Sequence, residues 1–296
     1  MSKILLLFFL ISYLVSHSQM LSGIIPGRDA TFSNSFISKS KIKTIKIDKA
    51  VKKDNGRIEN TGNITIFYFN AMGMVAKKII ISVNAEAILD TIFEFNYYNK
   101  QQQLINKRTF SANLIRTIYY TYDTLGYPIK IVNCKETNMQ SGMEFFQLGK
   151  QEVLSVDNFY FEKLNANQIK KMFLNDEGRI YKEGIMYYDS SQNLIEENYR
   201  YVATNVRINY KYTFNKKNQL IEYAYYSDAA GEYTEKTVYT YEESGNLLKL
   251  NYSGTHKPAG EIFYFHNKVS KQLEASLTKN PTTGALLIEK YSIETY

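Results

Sequence analysis

The chain has one cysteine, no tryptophan, four prolines and three histidines in 296 residues. One cysteine excludes an internal disulfide framework, and Cys134 on a strand pattern reads as a small core residue rather than a nucleophile. Only His256 and His266 lie beyond the N-terminal leader. A zinc site needs three or four converging ligands, so this pair reads as a turn and a strand-end residue, and no metal site is expected. Gly-x-Ser-x-Gly, phosphate-loop and His-Glu-x-x-His motifs are absent. Adjacent carboxylates occur at Glu196-Glu197 and Glu242-Glu243. Neighbours on a strand point to opposite faces, so neither pair can flank one glycosidic bond. No catalytic residue and no cofactor is assigned. No stretch rich in Pro, Gly or Ser marks a linker, and three of the four prolines fall in expected turns.

What is present is a repeated turn. Asn70-Ala-Met-Gly73, Asn99-Lys-Gln-Gln102, Asp123-Thr-Leu-Gly126, Asn175-Asp-Glu-Gly178, Asp189-Ser-Ser-Gln192, Asn215-Lys-Lys-Asn218, Asp228-Ala-Ala-Gly231 and Glu242-Glu-Ser-Gly245 share one form. A polar residue opens a type I turn, and the fourth residue sits left-handed as a bulge, where Gly is unstrained and Asn nearly so. An aromatic residue usually precedes: Phe69, Tyr98, Tyr122, Tyr188, Phe214, Tyr241. An aliphatic residue follows at fixed offset: Val75, Leu104, Ile180, Leu194, Leu220, Leu247, with Pro128 the exception. Such aromatic–aliphatic pairs are expected to face each other and pin the register. Extending the spacing places further turns at Val202–Asn205 and Lys257–Gly260, and weaker ones at Ser82–Ala85, Ser111–Asn113, Met139–Gly142, Glu162–Asn165 and Pro281–Gly284.

Between turns the residues alternate. Tyr210, Tyr212 and Phe214 share one face and Lys211 and Thr213 the other, a period of two that defines strands with one drier face. Helical spacing competes only in short stretches near Asn84–Leu89 and Asn165–Met172. The reading is an all-β, antiparallel up-and-down meander of about 14–18 strands, each roughly nine residues or 30 Å long, in an extended or rolled sheet.

The first eighteen residues read as a secretory signal peptide, with Lys3, an apolar Ile4–Val15 and Ser16-His-Ser18 as cleavage site. Residues 19–38 read as a flexible segment and 39–296 as the repeat domain. Export without disulfides suits the bacterial periplasm, cell surface or medium. The net charge is +7, with a lysine excess from Lys39 to Lys53 that an alternating strand Lys41–Ile47 would turn to solvent. Nucleic acid is excluded as a partner of an exported chain. The clusters Tyr97-Tyr98, Tyr119–Tyr122, Tyr187-Tyr188 and Tyr223–Tyr226 put rings on both faces, suited to cross-strand packing or to binding a protein or polysaccharide.

Tyr120-Thr-Tyr-Asp-Thr-Leu-Gly126, Tyr187-Tyr-Asp-Ser-Ser-Gln-Asn-Leu194 and Tyr239-Thr-Tyr-Glu-Glu-Ser-Gly-Asn-Leu247 resemble the YD repeat of rearrangement-hot-spot proteins, and also bacterial MORN-type hairpins. The leader and the Tyr/Asn/Lys-rich style resemble exported proteins of Bacteroidetes-type bacteria. The resemblance implies extracellular β repeats acting as shell, spacer or interaction surface, with no catalytic residues. The expected function is therefore an exported, non-catalytic envelope scaffold or protein- or glycan-binding surface. Alternatives are an outer-membrane β-barrel, which even strand number and strand length would allow, and an exported glycan-active hydrolase. Membrane association is disfavoured by adjacent charges such as Lys77-Lys78, Lys107-Arg108 and Lys182-Glu183, which would put one charge on each wall.

Overall fold

A computed structural model describes residues 32–53, 56–83, 88–111, 114–139, 148–228, 233–255 and 257–296. The signal peptide, His256 and the turns at 84–85, 112–113, 140–142 and 229–231 lie outside them. A short helix, α1 (Asn34–Lys39), precedes eighteen strands: β1 (Ile42–Lys52), β2 (Ile58–Phe69), β3 (Val75–Val83), β4 (Leu89–Tyr98), β5 (Leu104–Ser111), β6 (Leu114–Tyr122), β7 (Pro128–Asn138), β8 (Leu148–Asn165), β9 (Gln168–Leu174), β10 (Ile180–Tyr188), β11 (Leu194–Tyr201), β12 (Arg207–Phe214), β13 (Leu220–Ser227), β14 (Tyr233–Tyr241), β15 (Leu247–Gly254), β16 (Lys257–His266), β17 (Leu273–Lys279) and β18 (Leu286–Thr295).

Every strand pairs antiparallel with its sequence neighbours, and β1 pairs with both β2 and β18. The sheet therefore closes into an up-and-down barrel, correcting the expectation of an extended or rolled sheet. Closure leaves no edge strand, the usual template for unwanted pairing. β1, with its lysines, is therefore paired on both sides. Lys46 faces outward beside Asp48 at 2.9 Å, whereas Lys49 faces inward beside Glu289 at 3.5 Å.

The repeated turn sits mainly at one rim. It joins β2–β3, β4–β5, β6–β7, β10–β11, β12–β13 and β14–β15. Gly73, Gln102, Gly126, Gln192, Asn218 and Gly245 hold the left-handed slot. The opening Asn or Asp folds its Oδ1 back onto backbone N–H groups two and four residues on, as Asn215 does to Lys217 and Gln219. The aromatic and aliphatic flanks meet across each bulge as expected: Phe69 opposite Val75, Tyr98 opposite Leu104, Tyr188 opposite Leu194, Phe214 opposite Leu220 and Tyr241 opposite Leu247. The aromatic hydroxyl also reaches sideways. Tyr98, Tyr122 and Tyr241 donate to the carbonyls of Val75, Leu104 and Leu220 at 3.0, 2.9 and 2.6 Å, and Tyr296 donates to Phe69. The β4–β5, β6–β7 and β14–β15 hairpins are thereby tied to the preceding hairpin of the rim, and residue 296 to β2.

Two turn readings are corrected, and one further copy is found. Lys257–Gly260 belongs to β16, where Gly260 leaves room for the Tyr252 ring, whose hydroxyl would lie 2.3 Å from an added Cβ. The turn read at Glu162–Asn165 falls beyond Asn165, and the helical spacing at 165–172 gives way to β9. A seventh copy at the rim is one residue longer, running from Asn267 to a left-handed Lys271, with His266 in the aromatic position opposite Leu273.

Large side chains of β1, β2 and β12–β17 are buried on one common face: Ile45, Ile47, Phe67, Phe69, Tyr212, Tyr223, Tyr239, Leu250 and Tyr264. Beyond the strands, only Phe32 and the six-residue α1 join this cluster among the described residues. We assign this face, the one that Phe32 and α1 cover, to the barrel interior; the opposite face carries a smaller buried cluster of its own, Phe93, Phe110 and Ile115. α1 stoppers the rim that carries the repeated turns. Ile37 is fully buried, the Ser38 hydroxyl donates to Ala71 at 2.8 Å, and Gly73 lies so close that an added Cβ would sit 2.0 Å from the Asn34 carbonyl oxygen. Residues 34–38 thus belong to the packed fold rather than to the flexible lead-in expected for 19–38.

Candidate functional site in the barrel interior

Across the barrel, β3–β11 line the interior with polar groups. Pairing places Lys78, Glu94, Lys107, Arg116, Lys135, Lys171, Lys182 and Glu197 on the inward face. Some of these charges are matched: Lys107 meets Glu94 at 2.8 Å, and on the drier side Lys49 meets Glu289.

Lys171 on β9 and Lys182 on β10 differ. Among the described residues neither has a carboxylate oxygen within 4.0 Å. Their surroundings are aromatic rings instead. Lys171 Nζ lies 4.5, 5.4 and 4.7 Å from the ring centres of Phe159, Phe161 and Phe173. Lys182 Nζ lies 4.6, 4.6 and 5.3 Å from those of Phe173, Tyr199 and Tyr201. The Phe173 ring is thus shared by both ammonium groups. A ring face attracts a cation with about 0.5–2 kcal/mol, which offsets part of the cost of drawing the ammonium out of water. A ring face offers no acceptor oxygen, and neither ammonium group is bonded to a tyrosine hydroxyl among the described residues, so the N–H groups keep their capacity for an oxyanion.

The carboxylate whose charge acts on both lysines is Glu197 on β11. Its oxygens are occupied: Tyr199 donates to one and Tyr212 to the other, the latter at 2.8 Å. Local backbone choices allow the arrangement. Gly184 pairs with Tyr199, and a Cβ there would lie 2.2 Å from the ring, so only glycine lets Tyr199 cross the strand. Edge-to-face contacts run from Phe159 through Phe173 and Tyr199 to Tyr210 and fix the ring planes.

The positions singled out in the sequence are separated by the fold. Glu196 faces outward and Glu197 inward, as alternation requires, and Glu242-Glu243 lie at the rim. His266 ends β16 with both ring nitrogens unbonded in the described structure. Cys134 is buried beside Thr117 on the outward face of β6–β7. There Thr117 donates to Glu136 at 2.7 Å, Tyr119 donates at 3.2 Å and Arg108 lies 3.7 Å away, a saturated structural network. Among the tyrosine pairs, Tyr97 and Tyr226 are exposed outside while Tyr98 and Tyr225 point in. The lysine–aromatic cluster carries no motif. Its only sequence signal is that Lys171 and Lys182 fall in phase with aromatic rather than charged positions.

No family model matches the chain, and no curated protein does. Among solved structures, a porin-like protein from Bacteroides uniformis aligns over 86% of this chain and 97% of its own, at 12% identity and a TM-score of 0.37. A porin-like protein from Bacteroides vulgatus aligns over 74% and 98%, at 10% identity and 0.30. The Tc holotoxin pore of Photorhabdus luminescens aligns over 78% of this chain but 20% of its own, at 8% identity and 0.27. These likenesses are too distant to carry function, and the barrel stands on its own strand pairing.

Proposed function

We propose that the protein is a non-catalytic β-barrel of the bacterial envelope, of the outer-membrane type, that binds its partner or ligand through its interior. Ring closure carries the reading. An even, sequential, antiparallel ring with most strands of 8–12 residues is the architecture with which outer-membrane barrels satisfy every backbone group. It favours a barrel over the open scaffold expected from the turns alone. Part of the outer wall is largely apolar: Ile64, Ile66, Ile79, Ile81, Phe93 and Phe95 on β2–β4 share one face, with Lys77 among them 5.3 Å from the Phe93 and Phe95 ring centres. The interior offers the aromatic, mixed-charge lining that the tyrosine-rich sequence promises a protein or glycan partner.

One observation favours a second placement of the same barrel, with water outside. On β9–β15 the outer wall carries Lys170 and Arg200 on Glu183, Lys236 on Glu222 and Lys249 towards Glu261 on β16, at 2.6–3.0 Å. Each Lys or Arg facing lipid at mid-depth would cost about 2–4 kcal/mol. Fractionation of expressing cells separates the placements. Retention in the membrane pellet until detergent is added supports the outer-membrane barrel. Release of mature chain into plain buffer rejects it and leaves an exported, water-facing barrel.

A further inference from the structure

We propose that Lys171 and Lys182 form an anion-binding site inside the barrel, which takes the carboxylate, phosphate or sulfate group of a small ligand. The inference rests on the reading of the interior as the binding surface, in either placement of the barrel. Three observations carry it. The two ammonium groups lie on adjacent strands around one ring, Phe173, at 4.7 and 4.6 Å from its centre. The inward Lys49 and Lys107 have carboxylates at 3.5 and 2.8 Å and the inward Lys135 is exposed, whereas Lys171 and Lys182 are enclosed by rings and have no carboxylate within 4.0 Å among the described residues. The one carboxylate whose field reaches both, Glu197, has each oxygen engaged by a tyrosine hydroxyl, so it cannot swing across without breaking those bonds.

The rings hold the charge but leave the ammonium N–H groups without a strong acceptor. An oxyanion supplies charge-assisted hydrogen bonds, the strongest available to an ammonium group. Gly184 and the edge-to-face ring chain hold the cage in place, so little side-chain freedom is lost on binding. Phe159, Phe161 and Tyr201 complete the wall around the two cations. The ligand's neutral part meets aromatic surface, which accommodates a sugar ring as readily as a bare ion.

The test uses the mature chain and calorimetric titration with three probes: inorganic phosphate, a galacturonic-acid trisaccharide and a neutral galactose trisaccharide. The variants are Lys171→Met with Lys182→Met, which keeps length and packing against the rings, and Lys171→Arg with Lys182→Arg, which keeps the charge. The expected result is binding of at least one anionic probe, weakened about ten-fold or more by the Met pair and retained by the Arg pair. Thermal unfolding of the Met pair unchanged from the parent assigns that loss to the site rather than to misfolding. Uronate binding without phosphate binding identifies an acidic saccharide, and the reverse identifies a phosphate group. Failure of both anions to bind, or equal binding by the parent and the Met pair, overturns the site. If the neutral trisaccharide still binds in that event, an interior binding surface stands and only its anion selectivity is lost.

Discussion

The two sides of the barrel interior solve the same covering problem differently. From β12 through β18 to β2, inward tyrosines, leucines and isoleucines meet one another and α1, and the wall is drier, with the part-exposed pair Lys49 and Glu289 among its few charges. From β3 to β11 the inward positions carry lysine, arginine and glutamate among aromatic rings, and fewer side chains are fully buried. The turns and pairing are alike on both sides, so the contrast comes from side chains alone. One side supplies cohesion and the other is left to carry charges that a packed core would not tolerate.

The largest effects should come from the dry side. Ile37→Ala removes a fully buried side chain of the stopper helix and should lower stability by about 2–5 kcal/mol in thermal or urea unfolding. Ile118→Ala, inward but half-buried on the polar side, should cost less than about 2 kcal/mol. Equal losses would abolish the distinction between the sides. Next come two glycines with nearly the same φ. Gly178→Ala has open space around it and should cost only the left-handed penalty, about 1–2 kcal/mol. Gly73→Ala must also push α1 away and should cost more, with increased protease cleavage before β1 as a second readout.

Tyr241→Phe should then cost about 1 kcal/mol, the value of one hydroxyl-to-carbonyl bond between neighbouring hairpins. The smallest effect belongs to Asp189 in the turn after β10. Hydrogen bonds from the Asn193 side chain and backbone, and from the Ser191 backbone, hold its carboxyl below the usual range. Its folded value is depressed, so its contribution is present above the unfolded pKa and is lost as pH falls through the folded one. Unfolding curves of the parent and Asp189→Asn should converge in acid; constant separation at all pH values would remove this assignment.

Much of the wall was legible because its signals are local. Asn215 to Gln219 carries its own turn chemistry, and Phe214 and Leu220 announce their pairing six residues apart. The spacing near 26 between Asp189 and Asn215 reflects two strands, the distance between successive turns on one rim. Closure was not legible, because pairing of Ile45 with Ile293 spans almost the whole chain and alternation is the same in open and closed sheets. The copy at Asn267–Lys271 was hidden by an extra residue and by histidine replacing the aromatic. Gly260 was misread as a turn residue because glycine also serves where a ring crosses a strand. Lys171 and Lys182 gave no warning, since a lysine on an alternating strand ordinarily marks the wet face.

The place of β1 between β2 and β18 has a consequence for how the chain is made. Within this ring, the strand made first waits for the strand made last. Hairpins can form in order as the polypeptide lengthens, each held by its turn, while β1 keeps one side unpaired. Sequence-distant pairing of this kind slows folding and prolongs exposure of the edge. Residues 286–296 act as a clasp: β18 zips along β1, and the Tyr296 hydroxyl then fastens onto Phe69, the last residue of β2.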